Sequence, residues 1–298
     1  MTGHRPVLLD AMDDDALAAA ALDRRWPKWA TMCQLRSLGC PVLNGVRVVP
    51  GGGTAALRAA IDALAQATNT GRLMVRSDGG RESAAYHRGG DSFPLDQVER
   101  HATPLLAAGR AVILLEPTDR RTNQLSVLLR MDRPALHQPG SFTVEALGAG
   151  YDIGDLTRGG IHPQVTVSVA DITWHRYTKP WWSDLRVERH MTAEDERVRR
   201  ELRRRRLLQI NEVSTVDGSG DTTAAATNPR LGKDPTRDVV RAVIGWFDIA
   251  FVIAATHPHR DWRCLAVSLS DLGDGRTVYW DIVDSANKYA MAADRRPA

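Results

Sequence analysis

Leu73-Met74-Val75-Arg76-Ser77 reads as an apolar strand, and from Asp78 to Asp91 the chain then turns polar and glycine-rich. An apolar run of this length that ends among glycines is a buried strand delivering a loop. Upstream, Val46-Arg47-Val48-Val49 is a short strand, and Ala55–Ala67 carries Leu57, Ile61 and Leu64 at helical spacing. Between them, Pro50-Gly51-Gly52-Gly53-Thr54 opens the helix. Such a turn can cradle phosphate on free N–H groups, although a plain strand-to-helix turn is the simpler reading. Downstream, Val98–Ala107 patterns as a helix and Ala111–Glu116 as an apolar strand ending on an acid.

The same reading extends to both ends. Asp13–Leu22 and Trp29–Leu38 are helices, the second closed by Gly39. Leu125–Met131, Phe142–Ala146 and Val165–Val169 are strands, and Thr192–Leu208 is a charged helix containing Arg203-Arg204-Arg205-Arg206. Residues 213–237 are rich in small polar side chains and read as a long mobile loop, a candidate lid. Val239–Phe247 resumes helix or strand, and Asp248–Ala254, Cys264–Leu269 and Thr277–Val283 read as apolar strands, with a turn at Asp274-Gly275. Strands with interposed helices define a mixed α/β (α+β) architecture. The expected division is an N-terminal lobe over residues 1–110, carrying the glycine-rich loop, and a C-terminal lobe over 111–298.

Composition excludes several classes. With 298 residues, 43% hydrophobic, 25% charged and a net charge of +3, the chain has a globular profile and enough length for a sizeable core. Cys33, Cys40 and Cys264 are too scattered for a disulfide framework or a structural zinc site and read as buried thiols of a reducing cytoplasm. No apolar run approaches the ~18 residues of a membrane span, and an N-terminus carrying Asp10, Asp13, Asp14 and Asp15 does not pattern as a signal peptide. A soluble cytoplasmic protein is therefore expected. All but four of the 39 basic residues are arginine, the lysines being Lys28, Lys179, Lys233 and Lys288. The arginine run lies among Glu194, Asp195, Glu196 and Glu201 without interleaved aromatics, so it reads as a solvated face and not a nucleic-acid surface.

Several motifs in order carry a resemblance. Lys28 followed by Leu35, Gly39-Cys40-Pro41-Val42 and Gly45-Val46 is similar to the opening lysine helix and turn of one nucleotide-binding family. Val75-Arg76-Ser77 with Glu82 and Gly89, Gly90, Ser92, Phe93, then Ile113-Leu114-Leu115-Glu116, then Glu145-Ala146-Leu147-Gly148 with Gly150, Gly154 and Arg158-Gly159-Gly160, continue it. Together they resemble the nucleotide-binding half of the phosphoenolpyruvate synthase and pyruvate phosphate dikinase group, an ATP-grasp fold, over about residues 28–165. Asp78 stands where that group has a second serine, and no phosphohistidine domain or pyruvate-binding barrel is recognisable.

The resemblance implies two lobes with mixed or antiparallel sheets clasping a nucleotide, with ATP and Mg²⁺ as cofactors. It makes Arg76 and Lys28 phosphate cations, Arg241 a candidate for the γ-phosphate, and Glu82, Glu116 and Glu145 cofactor-binding acids, Glu116 toward the adenine or ribose. Trp280-Asp281-Ile282-Val283-Asp284-Ser285-Ala286-Asn287 resembles the acid-and-amide strand end that holds magnesium in ATP-grasp ligases, with Asp248 as a further ligand. The implied reaction is carboxylate–amine ligation through an acyl phosphate on a small-molecule acceptor. Phosphotransfer to a small molecule or to a histidine of a separate carrier protein, and non-catalytic nucleotide binding, stand as alternatives, and a homo-oligomer is compatible with any of them.

Overall fold

The computed structural model describes residues 6–23, 25–79, 91–118, 122–135, 138–157, 161–177, 185–190, 233–257 and 262–284. The chain divides into two compact units, one formed by Met1–Asp119 with Arg276–Ile282 and the other by Arg120–Gly275 with Val283–Ala298. The first unit's opening stretch thus runs to Asp119 and not to residue 110, and the unit also takes in Arg276–Ile282, which the expected division gave to the C-terminal lobe. The physical reason is β4 (Ala111–Leu115), which pairs on one side with β1 (Gly45–Val48) and on the other with β2 (Arg72–Asp78).

In the first unit the strands run in the order β1-β4-β2-β3, all antiparallel. The edge strand β3 (Asp91–Pro94) was expected to be the end of a loop; it is a strand because Ser92 and Phe93 pair with Met74 and Leu73 of β2. Two helices, α3 (Gly53–Thr68) and α4 (Leu95–Ala107), cover one face. Val46, Val48, Leu73, Val75, Val112 and Leu114 point into that layer against Leu57, Leu64 and Val98, as the two-residue period of a strand dictates. The helix α3 ends because Asn69 adopts a left-handed conformation, φ 49°. Ahead of the sheet, α1 (Asp14–Ala21) is capped by Asp13, which accepts from Ala16 N–H at 2.8 Å, and α2 (Pro27–Ser37) starts on a proline and ends before Gly39, φ 74°.

In the second unit β9 (Cys264–Asp271), β5 (Leu125–Asp132), β6 (Gly140–Leu147), β7 (Val165–Ile172) and β8 (Arg186–Arg189) are neighbours in that order, again antiparallel. The short helix α5 (Ile153–Thr157) packs Leu156 with Tyr151, Leu128 and Ala266. The long helix α6 (Thr236–Thr256) buries Val239, Val243, Phe247, Ala250 and Ile253, and Phe247 meets Phe142 of β6 edge-on at 5.5 Å. It corrects two expectations. Residues 236 and 237 are the first turn of this helix, not the end of a loop, and Asp248–Ala254 is helical, not a strand. The run is apolar because Phe247, Ala250, Ile253 and Ala254 occupy one buried side of a helix; a short apolar stretch does not distinguish the two periods. By length and composition α6 would also suffice to cross a membrane; Val239, Val243, Phe247, Ala250 and Ile253 face the core of its own unit, while Val240, Ile244 and Val252 are exposed.

All three cysteines are buried thiols, and burial pushes Cys33 and Cys264 up to about 12 and Cys40 to about 11. The charged helix expected over Thr192–Leu208, and residues 213–232 of the expected loop, lie outside the described residues.

Candidate nucleotide-binding elements

The end of β2 is anchored by Asp78. Its side chain is fully buried and accepts three backbone N–H groups: Lys28 at 3.0 Å and Gly79 at 2.9 Å on Oδ1, and Trp29 at 2.8 Å on Oδ2. Lys28 and Trp29 are in the first turn of α2, whose Trp26 cap position supplies no side-chain acceptor. Asp78 therefore caps α2 from another element, satisfying donors that the helix leaves open. The aspartate at this position gains its meaning from that bond. Burial raises the Asp78 pKa, while the N–H groups of Trp29, Lys28 and Gly79 and the Lys28 charge oppose the rise.

Lys28 completes the arrangement by donating from Nζ to the Ser77 carbonyl at 2.7 Å. The chain then leaves β2 through Gly79, which has φ 76°. A Cβ there would stand 2.5 Å from the Trp26 ring and 2.9 Å from the Arg25 carbonyl, so only glycine fits this exit.

Arg76 lies two residues before Asp78 and hence on the same side of the sheet, opposite α3 and α4. Its register partner is Ile113 of β4. Glu116 follows three residues later, about 10 Å along the strand direction. The Glu116 carboxylate accepts from Arg276 Nη1 at 3.2 Å and from Asn44 N–H at 3.4 Å, and its own N–H donates to the Asn44 carbonyl at 3.0 Å. Asp281 is a half-buried residue of β10 (Thr277–Asp284), and Tyr279 on that strand donates its N–H to Pro41 at 2.8 Å. Lys28, Arg76, Glu116 and Asp281 thus all belong to the first unit.

Arg241, Glu145 and Asp248 belong to the second unit. Arg241 is exposed on α6. Asp248 is in the middle of that helix and not at the start of a strand, and its Oδ1 accepts a short hydrogen bond from the Tyr177 hydroxyl. The Asp284 side chain, Glu82 and Asn287 lie outside the described residues. Among the described residues no three His, Cys, Asp or Glu side chains converge as a metal site. The donors expected near β10 are all hard oxygens, which suits an ion that takes one or two protein carboxylates and completes its shell with phosphate and water.

Glu145 sits in a wider pattern that the motif reading missed. It is opposite Leu128 of β5 and Thr166 of β7; one row along, Thr143 is opposite Arg130 and Ser168. These side chains share the face turned away from Phe142, Val144 and α6. Burial works against the Arg130 charge, but Asp132, at 3.7 Å, together with Cys264 and Glu145, outweighs it and raises the pKa. The signal was present as alternation, in Ser141-x-Thr143-x-Glu145 and Thr166-x-Ser168. Where β6 leaves this face, Gly148 donates to the Gln164 side-chain oxygen at 2.8 Å, and a Cβ would stand 2.9 Å from that oxygen.

No protein-family model matches the sequence, and no curated protein matches it. Among solved structures the chain is similar to D-cycloserine synthetase DcsG, with 13% identity and a TM-score of 0.40, over 90% of this chain and 69% of that one. It is also similar to the D-alanine-D-alanine ligase from Coxiella burnetii, with 8% identity and a TM-score of 0.39, over 89% of this chain and 49% of that one. A third is the N5-carboxyaminoimidazole synthase from Aspergillus clavatus in complex with ADP, with 12% identity and a TM-score of 0.39, over 92% of this chain and 51% of that one. The chain spans about half the length of the last two.

Proposed function

We propose that this chain is an ATP-dependent carboxylate–amine ligase of the ATP-grasp type, acting through an acyl phosphate on a small molecule. The observation that carries the reading is the first unit's sheet. It carries a cation, Arg76 on β2, and an acid, Glu116, just past the end of the neighbouring antiparallel β4. The motif order over about residues 28–165 agrees with it.

In this reading Arg76 neutralises phosphate charge, with Lys28 as a second cation held beside it on α2 and Arg241 as a further candidate. Glu116 fixes the base or ribose, and Glu82 and Glu145 serve the nucleotide as acids. Asp281, Asp284 and Asn287 supply the oxygens for Mg²⁺, which would neutralise phosphate charge when bound. The acceptor carboxylate attacks the γ-phosphorus, the bond to the ADP oxygen breaks, and an acyl phosphate forms; an amine then attacks the acyl carbon and phosphate leaves. Positioning and charge neutralisation provide most of the rate in such a transfer.

The test is ADP release by the whole chain across a panel of carboxylates and amines, with hydroxylamine present to trap acyl phosphate as hydroxamate. The expected result is carboxylate-dependent ADP release with matching hydroxamate, and a loss of at least about 100-fold in kcat/KM in Arg76→Met, equal to about 2.7 kcal/mol of transition-state stabilisation. ADP release without hydroxamate for any carboxylate would overturn the ligase reading in favour of phosphotransfer.

A further inference from the structure

A cleft of about 390 Å³ opens at the β1 edge of the first unit, two strands across from Arg76, within the volume range of small-molecule sites. Its walls include Val7, Trp29, Val48, Ala56 and Ala60, with Arg47 as the charged group. The alanines of α3 leave the volume open where larger side chains would close it.

Arg47 is unusual in its surroundings. Its side chain is 22% exposed and its guanidinium stacks 5.6 Å from the Trp29 ring centroid. Nη1 is buried and has no hydrogen-bond partner, the closest carboxylate oxygen being Asp23 Oδ2 at 3.7 Å. That carboxylate is already held by Arg25, whose Nε and Nη2 donate to its two oxygens at 3.0 Å each. Two guanidinium groups thus share one half-buried acid, and the inner one keeps a buried Nη1 without an acceptor beside an apolar cleft. A buried guanidinium nitrogen without an acceptor is costly and is relieved by an anion that accepts from it.

We propose that this cleft binds a small carboxylate with an apolar body, aromatic or branched aliphatic, whose carboxylate meets Arg47 and whose body lies on Trp29, Val48 and the Ala56–Ala60 face of α3. The glycine-rich turn takes a supporting part, because Gly52 at the α3 N-terminus is on the cleft wall. The site does not depend on the ligase reading, and it would serve equally as an acceptor store or an effector site.

The probes are 3-phenylpropionate and its neutral counterpart 3-phenylpropionamide, titrated calorimetrically into the whole chain without nucleotide. The carboxylate is expected to bind at least about ten-fold more tightly than the amide, a difference of about 1.4 kcal/mol. Arg47→Met should abolish that preference. Ala56→Leu, which fills the cleft and leaves Arg47 in place, should weaken the carboxylate by about ten-fold or more, and it decides the matter if Arg47→Met does not fold. Equal affinities for acid and amide, no heat with the acid up to about 10 mM, or full affinity in Ala56→Leu would each overturn the proposal.

Discussion

In the first unit α3 and α4 pack on one face of the sheet, and on the other side Asp78 receives three N–H groups, two of them from α2, while Lys28 donates to the carbonyl of Ser77. Charge there is used to hold backbone. In the second unit the face against α6 is apolar, and the opposite face carries Arg130, Thr143, Glu145, Thr166 and Ser168, none of them fully buried. Polar side chains on that sheet face are thus half-buried and stand outside the apolar layer under α6. The contrast separates residues whose loss unfolds the protein from residues whose loss should change only its chemistry.

The largest effect is expected at Phe247, where truncation to alanine removes the ring that meets Phe142 and Trp174. Phe247→Ala should destabilise by about 3–5 kcal/mol, read by denaturant unfolding. Asp78→Ala comes next, at about 2–4 kcal/mol, because it strips a trans cap and leaves three N–H groups without their acceptor. A small loss for Asp78→Ala, within that of an ordinary surface change, would break the comparison from the first unit's side. Glu145→Gln and Thr143→Val should each leave stability within about 1 kcal/mol of the parent while lowering turnover in the proposed ligase assay by about ten-fold or more. A large loss of stability in either would break it from the second unit's side.

The pH dependence of Asp78 sharpens the same point. Burial raises its pKa above the ordinary carboxylate value near 3.9, so its stabilising contribution is complete below that value and declines as pH rises through the raised one. Asp78→Asn cannot ionise. Relative to that variant, the parent should be most favoured near pH 4 and lose ground as pH rises above it, in unfolding midpoints measured across a pH series. The smallest effect is expected for Arg58→Ala, which breaks an exposed ion pair with Glu99 and should leave the midpoint unchanged.

Much of this architecture was legible in the sequence. The strands around Leu73–Ser77, Ala111–Glu116, Leu125–Met131 and Thr277–Val283 were fixed by apolar runs bounded by glycine or charge, and Gly39 marked the end of α2 through its left-handed conformation. Asp248–Ala254 was misread because one turn of a buried helix face is as apolar as a buried strand. β3 escaped notice because its pairing with β2 is non-local, and the role of Asp78 escaped because its partners are some fifty positions earlier in the chain. The polar face around Glu145 was written as plain alternation, which shows sidedness but not which side a ligand would use.

The most direct test of the nucleotide assignment is a thermal-shift titration with ATP, with and without Mg²⁺, on the parent, Arg76→Met and Glu116→Gln. At about 100 times its dissociation constant, a ligand stabilises the native state by about 2.7 kcal/mol. The account predicts a magnesium-dependent upward shift with ATP in the parent that is reduced in both variants. The same midpoint with and without ATP in the parent, at millimolar nucleotide and magnesium, would contradict it.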